Sequence, residues 1–407
     1  TPQNAAVLSP SSGFPFDGIP VTEAPNAQGS ARLTTDGFGG AYIVWDDLQN
    51  ADYDLYIQHY NFLGSPSFQE GGIFLSDAEN NQISPLVRAG QYGALVVWED
   101  RKDGSISIYA QHINAITGAT FQNNGISMYY GIDGNAFLYN DEDPYTAKPK
   151  SLYLDNKNLV YWEDRRGGNT YIEGTPFTTY YTYGTFVDNS GPSESKQLSN
   201  YFDQKFPDIK NIDDEFLLSF TGLNYSDASN KVFYQMLDDD LEMLGSNEGS
   251  LADSEENTSQ GSDRTYATIV DQSGYSKLIY SKNGYPTYLN EIFTVEIDPS
   301  SGAQSPDTLY SQAASYSDLR VSDAYSSSTN CQLSNGDDCI LTIFEEQDVL
   351  GNNTLKVKAE VDTPISLSVD GVNQQFKDAT KTVSSSTIPL EQLFVVWEES
   401  KNGNIDI

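Results

Sequence analysis

The segment VVWEDRKDG, residues 96–104, brings carboxylates, a cation and an aromatic ring together. Glu99 and Asp100 could act as general acid and base beside the cation Arg101. Trp98 could stack on a sugar ring. A catalytic pair needs two carboxyl groups roughly 5–10 Å apart whose pKa values differ. Because a fold normally holds one such site, the number of copies of this segment distinguishes chemistry from structure.

The segment is one copy of an internal repeat. Four clear copies contain all four tryptophans of the chain, and three weaker copies carry Phe or Tyr at the same position. An acidic pair follows this marker aromatic in five of the seven copies, which favours a structural role over a catalytic one. We expect Asp100 and Asp164 to accept backbone N–H bonds in the turn that follows. The marker aromatics are Trp45, Trp98, Trp162, Phe220, Tyr280, Phe344 and Trp397.

The repeat is also circular. Neighbouring markers lie between 53 residues (Trp45 to Trp98) and 64 residues (Trp98 to Trp162) apart. Ten residues follow Trp397 and 45 lead up to and include Trp45, so joining the chain ends gives an interval of 55 residues. This interval falls within the range of the others, which indicates that the last repeat continues into the first.

Each repeat predicts four strands. Apolar and polar residues alternate in segments such as SIYAQHIN (107–114), and Gly, Asn and Asp turns separate them. The sequence therefore predicts an all-β fold, a seven-bladed β-propeller of four-stranded antiparallel blades in a single domain of residues 1–407. The N-terminal segment is expected to supply the fourth strand of the last blade and close the ring. Six or eight blades, or an open solenoid with capping repeats, are the alternatives.

The repeats resemble those of a known group of proteins. DGFGGAYIVWDD…DYDLYIQHYNFLG and GQYGALVVWEDRKDGSISIYAQHINAITG are similar to repeats of secreted and cell-surface β-propeller proteins of Bacteroidota and related bacteria. The resemblance covers residues 1–175 and 390–407 well and the middle repeats in outline. It implies a propeller and an extracellular or outer cell-surface location, because many such proteins are substrates of type IX secretion. It implies little about activity.

Charge and hydropathy restrict the partners. The chain has 22 Lys and Arg against 58 Asp and Glu, a formal net charge of −36. Nucleic acids and anionic membranes are excluded, because phosphate binding needs Lys and Arg. No apolar run is long enough for a membrane span, and TPQNAAVLS at the start lacks the pattern of a signal peptide. We therefore expect a secreted protein whose signal peptide has been removed.

Cys331 and Cys339 are the only two cysteines, and both lie in CQLSNGDDC. The short separation and the Asn-Gly turn between them predict a disulfide. A metal site is the alternative, but no further Cys and no nearby His could complete it. A disulfide indicates an oxidising compartment.

The two histidines of the chain, His59 and His112, occupy the same position in the first two repeats. A catalytic or metal-binding His is expected once and beside partners, and these two should lie a whole blade apart. We therefore expect both to be structural. Without a further His, a Ser-His-Asp triad is not supported.

Calcium is the one cofactor that the sequence suggests. The segments NDEDPY (140–145) and LDDDLE (237–242) concentrate carboxylates in expected loops, as calcium sites do, although neither reproduces the EF-hand loop. The candidate ligands are Asp141, Asp143, Asp238, Asp239 and Asp240.

Tyrosines are concentrated in two segments that do not repeat. Residues 127–150 are longer than their counterpart in the first repeat, and residues 175–186 are similarly rich in Tyr. Insertions in repeat proteins lie in loops, and Tyr-rich loops bind sugars and proteins. Tyrosines of ordinary alternating strands are the other interpretation. The candidates are Tyr129, Tyr130, Tyr139, Tyr145, Tyr180, Tyr181 and Tyr183.

These patterns favour a non-catalytic extracellular propeller that binds a glycan or another surface protein, as an adhesion module or a subunit of a surface assembly. The alternative is an extracellular carbohydrate-active enzyme, a glycosidase or lyase, because one fold hosts many activities. A structural subunit of an extracellular filament is a third hypothesis. An enzyme should have carboxylates or His that do not repeat, and the sequence offers no clear set of them.

Overall fold

A computed structural model describes most of the chain as β-strands. No helix among the described residues is long and apolar enough to cross a membrane. In some strands only the backbone is described. The described residues are 5–8, 21–22, 24–25, 27–48, 52–76, 78–90, 93–102, 107–114, 116, 118, 124–128, 149–154, 157–164, 169–172, 175–178, 180–188, 191–201, 204–212, 214–224, 229–246, 249–252, 267–272, 275–282, 290–298, 302–311, 316–332, 338–348, 353–359, 364–366, 374–381, 393–401 and 404–406.

The described strands form seven sheets of four or five strands and one two-stranded hairpin. The first strand, β1 (Ala5–Leu8), belongs to the last sheet. Sheet 1 contains β2 (Gln28–Thr35), β3 (Ala41–Leu48), β4 (Tyr53–Tyr60) and β5 (Ile73–Ser76); sheet 2 contains β6 (Gln82–Gly90), β7 (Gly93–Asp100), β8 (Ser107–Asn114) and β9 (Ile126–Ser127).

Sheet 3 and the hairpin follow in the chain. Sheet 3 contains β10 (Lys150–Leu154), β11 (Lys157–Asp164), β14 (Tyr181–Asp188), β15 (Gly191–Pro192) and β16 (Lys196–Gln197), and the hairpin between β11 and β14 contains β12 (Asn169–Ile172) and β13 (Thr175–Thr178).

The other four sheets complete the set. Sheet 4 contains β17 (Lys205–Ile212), β18 (Glu215–Asn224), β19 (Ser229–Leu237), β20 (Met243–Leu244) and β21 (Ser250–Leu251); sheet 5 contains β22 (Ala267–Gln272), β23 (Tyr275–Lys282), β24 (Glu291–Asp298), β25 (Gly302–Ala303) and β26 (Asp307–Ser311); sheet 6 contains β27 (Tyr316–Gln332), β28 (Asp338–Asp348), β29 (Asn353–Ala359) and β30 (Ile365–Ser366); sheet 7 contains β31 (Gln374–Lys381), β32 (Leu393–Lys401), β33 (Asn404–Asp406) and β1.

Each sheet has one marker aromatic on its second strand. Strands that follow one another in the chain pair antiparallel, so the second strand lies inside the sheet. Trp98 stands opposite Tyr109 of the third strand, and the two rings stack with centroids 6.0 Å apart. Phe220 stacks in the same way on Phe233, at 5.6 Å. Such cross-strand aromatic pairs stabilise a sheet. The predicted all-β architecture of antiparallel four-stranded sheets is confirmed.

A glycine before the outer strand completes this packing. Gly125 has φ +69°, and a Cβ on it would collide with the ring of Trp98 and lie 2.6 Å from the carbonyl oxygen of Ala110. Gly72 has φ +83°, and a Cβ there would lie 2.6 Å from Cη2 of Trp45. The marker ring thus occupies the place of a side chain, and only glycine fits the position.

The chain divides into two compact units. Unit 1 comprises Thr1–Tyr161, Thr185–Ser195 and Gln374–Ile407, and it contains sheets 1, 2 and 7. Unit 2 comprises Trp162–Gly184 and Lys196–Asn373, and it contains sheets 4, 5 and 6. Strands of sheet 3 fall in both.

Within each unit, neighbouring sheets pack through their first strands and inner faces. In unit 1, β2 lies between β31 and β6, and β6 also contacts β10; in unit 2, β22 lies between β17 and β27. Val87 and Trp98 of sheet 2 share a core with Leu55 and Ile57 of sheet 1. The cores therefore lie between stacked sheets.

The N-terminal strand joins the last sheet, at a place that differs from the prediction. Ala5–Leu8 pairs with β32 at Leu393–Val396, on the edge where β33 pairs with Glu399–Lys401. β1 thus lies in the line of the third strand. Val21, in the segment expected to form the fourth strand, is buried but lies outside the described strands.

Candidate functional site

In sheets 2 and 3 the second acid of the repeated pair accepts a hydrogen bond from the marker tryptophan. Trp98 Nε1 donates to Asp100 Oδ2 at 3.2 Å, and Trp162 Nε1 donates to Asp164 Oδ2 at 3.1 Å. Asp100 Oδ1 also accepts from the backbone N of Lys102 at 3.0 Å, as predicted for the turn. These buried carboxylates satisfy donors that would otherwise be costly to bury.

The first acid of the pair supports an irregular backbone. Glu163 Oε1 accepts from the backbone N of Phe206 at 2.8 Å. Phe206 has φ +54° at a register shift in β17, and Ser30 and Ser84 have φ +52° and +53° at register shifts in β2 and β6. A bulge leaves a backbone group without a ladder partner, and the carboxylate of Glu163 replaces that partner. In sheet 3 the acidic pair therefore has a structural explanation at both positions.

One histidine, His59, is held by a carboxylate and an aromatic ring of sheet 1. His59 Nε2 lies 2.9 Å from Asp36 Oδ2, and its ring stacks on Tyr42 with centroids 4.3 Å apart. In sheet 2 the residue opposite His112 is Leu95, which replaces the aromatic partner. Burial lowers the pKa of His112. The Asp36–His59 pair is thus an elaboration of one repeat.

Asp36 links this pair to the hairpin between β2 and β3. Its Oδ1 accepts from the backbone N of Phe38 at 2.7 Å and of Gly40 at 2.8 Å. Burial would raise the pKa of Asp36, but the hydrogen bonds from His59 and from these two amides outweigh it and hold the pKa below 3.8. Burial, and to a lesser extent the charge of Asp36, raises the pKa of Tyr42 to about 12.

Large apolar side chains project from the same end of sheets 1 and 2. This end carries the loops between first and second strands and between third and fourth strands. We name the four residues the apolar rim. They are Phe38 (81% exposed), Phe62 (66%), Leu63 (70%) and Ile116 (89%).

Three of these side chains stand on the same kind of turn. In each case an Asp or Asn side chain two residues earlier accepts the backbone N–H of the apolar residue, which fixes the loop tip. The pairs are Phe38 N to Asp36 Oδ1 at 2.7 Å, Leu63 N to Asn61 Oδ1 at 2.9 Å and Ile116 N to Asn114 Oδ1 at 2.9 Å.

The loops that carry the apolar rim touch one another. A Cβ on Gly40 would lie 2.6 Å from Asp36 Oδ2 and 3.1 Å from Cα of Asn61, so the β2–β3 hairpin packs on the β4–β5 loop. A Cβ on Gly118 would lie 2.7 Å from Ile73 and 3.1 Å from the ring of Phe68, so the β8–β9 loop packs on the same segment. The rim is therefore carried by one continuous surface of unit 1.

The acidic segment in sheet 4 forms the same turn with a different tip. Asp238 Oδ1 accepts from the backbone N of Asp240 at 3.0 Å and of Glu242 at 2.8 Å. Lys196 Nζ donates to the backbone O of Asp240 at 2.7 Å and to Glu242 Oε1 at 2.6 Å. Asp239 and Asp240 are exposed. Lys196 thus offsets one of the four negative charges of this loop, and calcium binding by Asp238, Asp239 and Asp240 stays a prediction.

The predicted metal and tyrosine sites are only partly described. No group of three His, Cys, Asp or Glu side chains within the described ranges could hold a metal ion. The candidates outside the described residues are Tyr129, Tyr130, Tyr139, Tyr145, Asp141 and Asp143.

The other three tyrosines lie in or next to sheet 3. Tyr180 is half-buried, with Lys205 Nζ 5.5 Å from its ring centroid. Tyr181 and Tyr183 lie on the half-exposed face of β14, and the Tyr183 hydroxyl donates to Gln197 Oε1 at 3.1 Å. The burial pattern of β14 matches that of β8, where Tyr109 holds the place of Tyr183. Tyr183 therefore fits the alternative interpretation, a tyrosine of the repeat.

The two cysteines lie on paired strands. Cys339 is fully buried on β28, and Cys331 lies on β27, whose register with β28 shifts between Ser327 and Gln332. The side chain of Cys331 is outside the described residues, so the disulfide stays a prediction.

No protein-family model and no curated protein sequence matches the chain. Among solved structures it is similar to the subtype N11 neuraminidase-like protein of A/flat-faced bat/Peru (H18N11), with 11% identity, a TM-score of 0.44 and coverage of 88% of this chain and 92% of that one. A neuraminidase-like protein from A/bat/Guatemala has 14% identity, a TM-score of 0.41 and coverage of 91% and 97%. Endo-arabinase from Bacteroides thetaiotaomicron has 12% identity, a TM-score of 0.34 and coverage of 70% and 93%. At these scores the likenesses carry no argument about activity.

The apolar rim was not predicted from the sequence. Its signal is nevertheless visible in the sequence. DGF at residues 36–38, NFL at 61–63 and NAI at 114–116 each place an Asp or Asn two residues before a large apolar residue in a turn. An apolar residue in a turn is unusual enough to mark a position for binding.

Proposed function

We propose that the protein is a non-catalytic, secreted or cell-surface propeller of seven blades that binds another protein through the apolar rim. One marker aromatic in each of seven sheets and the stacking of first strands within each unit support the propeller. A closed ring and a single domain of residues 1–407 are part of this proposal, and the pairing of β1 with β32 joins the N-terminal strand to the last sheet as such closure requires.

The observation that carries the binding function is the rigid display of apolar side chains. Phe38, Leu63 and Ile116 are each held by a side chain-to-backbone hydrogen bond while their own side chains face solvent. Exposed apolar clusters on soluble proteins mark interaction sites. Because the loops are already ordered, association loses little conformational entropy.

The chemistry of the rim favours a protein over a glycan. Phe38 and Phe62 could stack on a sugar ring, but the aliphatic Leu63 and Ile116 could not, whereas all four side chains can contact apolar residues of a protein. The net charge of −36 also steers cationic partners towards the molecule. The partner class is therefore a protein whose binding segment combines apolar and basic residues.

The buried acids support a non-catalytic function. Asp100, Asp164 and Glu163 bind tryptophan N–H or backbone N–H groups, so these carboxylates serve the fold. A catalytic pair would need carboxylates that face a substrate.

A displayed library of random 12-residue peptides tests the proposal. Selection on the wild-type protein should enrich peptides that contain apolar and basic residues, and these should not bind a variant with Phe38→Ser, Leu63→Ser and Ile116→Ser. Enrichment of peptides that bind the variant equally well would contradict a site at the rim. Turnover of any polysaccharide by the wild-type protein would contradict the non-catalytic function and favour a carbohydrate-active enzyme.

A further inference from the structure

We propose that β6 and β10 form a binding site for an acidic sugar, one whose pyranose ring carries a carboxylate. The ring of Tyr153 stacks on the sugar, and the guanidinium of Arg88 binds its carboxylate. Both strands belong to unit 1, where they contact each other. The site shares no residue with the apolar rim and is independent of the protein partner proposed there.

Arg88 is held in a fixed orientation by two backbone carbonyl groups. Its Nε donates to Ser151 O of β10 at 2.6 Å, and its Nη1 donates to Val87 O of β6 at 3.0 Å. Within the described part of the chain, Nη2 has no hydrogen-bond partner and no carboxylate pairs with the guanidinium. A guanidinium can bind both oxygens of one carboxylate through parallel N–H bonds. The half-buried side chain is therefore already oriented for an anion.

The strands around Arg88 are basic although the chain is acidic. Neither β6 nor β10 contains an Asp or Glu, and β10 adds a second base, Lys150. Elsewhere a lysine such as Lys196 pairs with an acid, Glu242, at 2.6 Å. The net charge of −36 acts weakly at this site, because exposed charges are screened beyond about 8 Å at physiological ionic strength. A half-buried guanidinium without an acid, in so acidic a chain, indicates an anion from outside.

Tyr153 presents an aromatic face beside Arg88. Its side chain is 37% exposed. A Cβ on Gly90 would lie 3.8 Å from Cε2 of Tyr153, and no other described atom beyond the chain neighbours of Gly90 lies within 4 Å. Gly90 follows Arg88 by two residues on β6, and Tyr153 follows Ser151 by two on β10, so ring and guanidinium lie at one junction. The missing side chain at Gly90 leaves open space next to the ring.

An aromatic ring beside a guanidinium suits an acidic sugar better than an acidic peptide. A pyranose has an apolar face of C–H groups that packs on an aromatic ring, while a few polar groups fix its orientation. The carboxylate of a uronic acid projects from the edge of the pyranose, where a neighbouring guanidinium can bind it. An acidic side chain of a peptide would use Arg88 without covering Tyr153.

Arg32 of sheet 1 is the matched comparison. Its Nη1 also donates to the preceding carbonyl, Ala31 O, at 2.8 Å. In the next sheet, however, Ala89 stands where sheet 3 has Tyr153, since each lies opposite the residue four places before the marker aromatic. Arg32 therefore has the cation without the neighbouring aromatic ring.

Calorimetric titration of the full chain with trigalacturonate tests the site. Arg88→Ala should raise the Kd about tenfold or more, because hydrogen bonds to a charged group are lost. Gly90→Leu should abolish binding by covering Tyr153, while its Cβ makes only an ordinary contact and its φ lies outside the left-handed region. Arg32→Ala should leave the Kd unchanged.

Gly90→Leu keeps the bonds of Arg88 to β6 and β10, so it decides the question even where Arg88→Ala fails to fold. Equal Kd values for wild type and Gly90→Leu would overturn the proposal, as would no binding of millimolar trigalacturonate by wild type. Equal binding of the neutral galactose trisaccharide would contradict recognition of the carboxylate. Equally tight binding of triglutamate would make the ligand a peptide and overturn the sugar.

Discussion

At the scale of single residues, the repeat is defined by what surrounds the marker ring. Trp98 stacks on Tyr109, covers Gly125 and donates its N–H to Asp100. The sequence predicted the marker, since one aromatic recurs at a regular interval. It could not predict the bond to Asp100, because that bond depends on how the indole turns within the sheet. Trp98 and Asp100 therefore serve the packing of sheet 2.

Replacing Gly125 by alanine should destabilise the fold more than the same change at Gly245. Both glycines have positive φ, which costs an alanine about 1–2 kcal/mol. At Gly125 the new methyl group would also collide with Trp98 and Ala110, which adds about 1–3 kcal/mol, whereas nothing lies within 4 Å at Gly245. Urea denaturation measures both losses. Equal losses would show that the marker ring does not rest on this glycine.

The Asp36–His59 pair should make the free energy of unfolding depend on pH. The pKa of Asp36 is lower in the folded protein than its ordinary value of 3.8, so the folded state favours the carboxylate. This contribution is fully present above the ordinary value and is lost as the pH falls through the lower, folded pKa. The free energy of unfolding of Asp36→Asn should therefore fall less than that of wild type between about pH 5 and pH 3. Parallel curves in chemical denaturation at each pH would contradict the assignment.

At the scale of elements, one turn serves different purposes in different sheets. Asn61, Asn114 and Asp238 each accept the backbone N–H two residues later. The tips are apolar in sheets 1 and 2, but sheet 4 has an exposed aspartate. The side chain-to-backbone hydrogen bond of the turn recurs in these sheets, but the residue type at the tip differs. The clustered acids of the sequence therefore predicted a site at Asp238–Asp240 but gave no sign of the apolar tips, although both lie on the same kind of turn.

Alanine at both Asn61 and Asn114 should weaken binding of a rim-selected peptide while leaving Leu63 and Ile116 in place. Without the side-chain acceptors, the loop tips must be ordered on binding, at a cost of about 0.5–1.5 kcal/mol each. This predicts a roughly 5- to 150-fold higher Kd by calorimetry. An unchanged Kd would mean that preorganisation of the turns is unimportant. Asp238→Ala, at the same turn in sheet 4, is the matched control.

The pairing of β27 with β28 places both cysteines on neighbouring strands. The denatured protein should therefore show no free thiol without reductant and two after reduction. Loss of the bond should lower the free energy of unfolding by about 2–3 kcal/mol, the chain-entropy value for so short a loop. Two free thiols in the unreduced protein would contradict the disulfide and remove the support for an oxidising compartment.

At the scale of the whole molecule, periodicity predicted antiparallel sheets with the marker aromatic on the second strand, and the number of blades stays a prediction. Seven aromatics indicated seven sheets, because one ring per sheet fills the same place in the core. The placement of β1 was not predictable in the same way. The N-terminal segment was expected to form the fourth strand of the last sheet, whereas Ala5–Leu8 pairs with β32 in the line of the third strand. Periodicity also could not predict which loops bind a partner, because the residues at the loop tips differ from repeat to repeat.

The most direct test of the proposed function compares three proteins with one rim-selected peptide. They are wild type, the variant with Phe38→Ser, Leu63→Ser and Ile116→Ser, and a control with Asp240→Ser at the corresponding tip of sheet 4. We predict that the rim variant raises the Kd at least 100-fold, about 2.7 kcal/mol or more. The Kd of the control should stay within twofold of that of wild type. The unfolding temperatures of both variants should stay within a few degrees of wild type. Equal affinity of wild type and rim variant would contradict binding through the apolar rim.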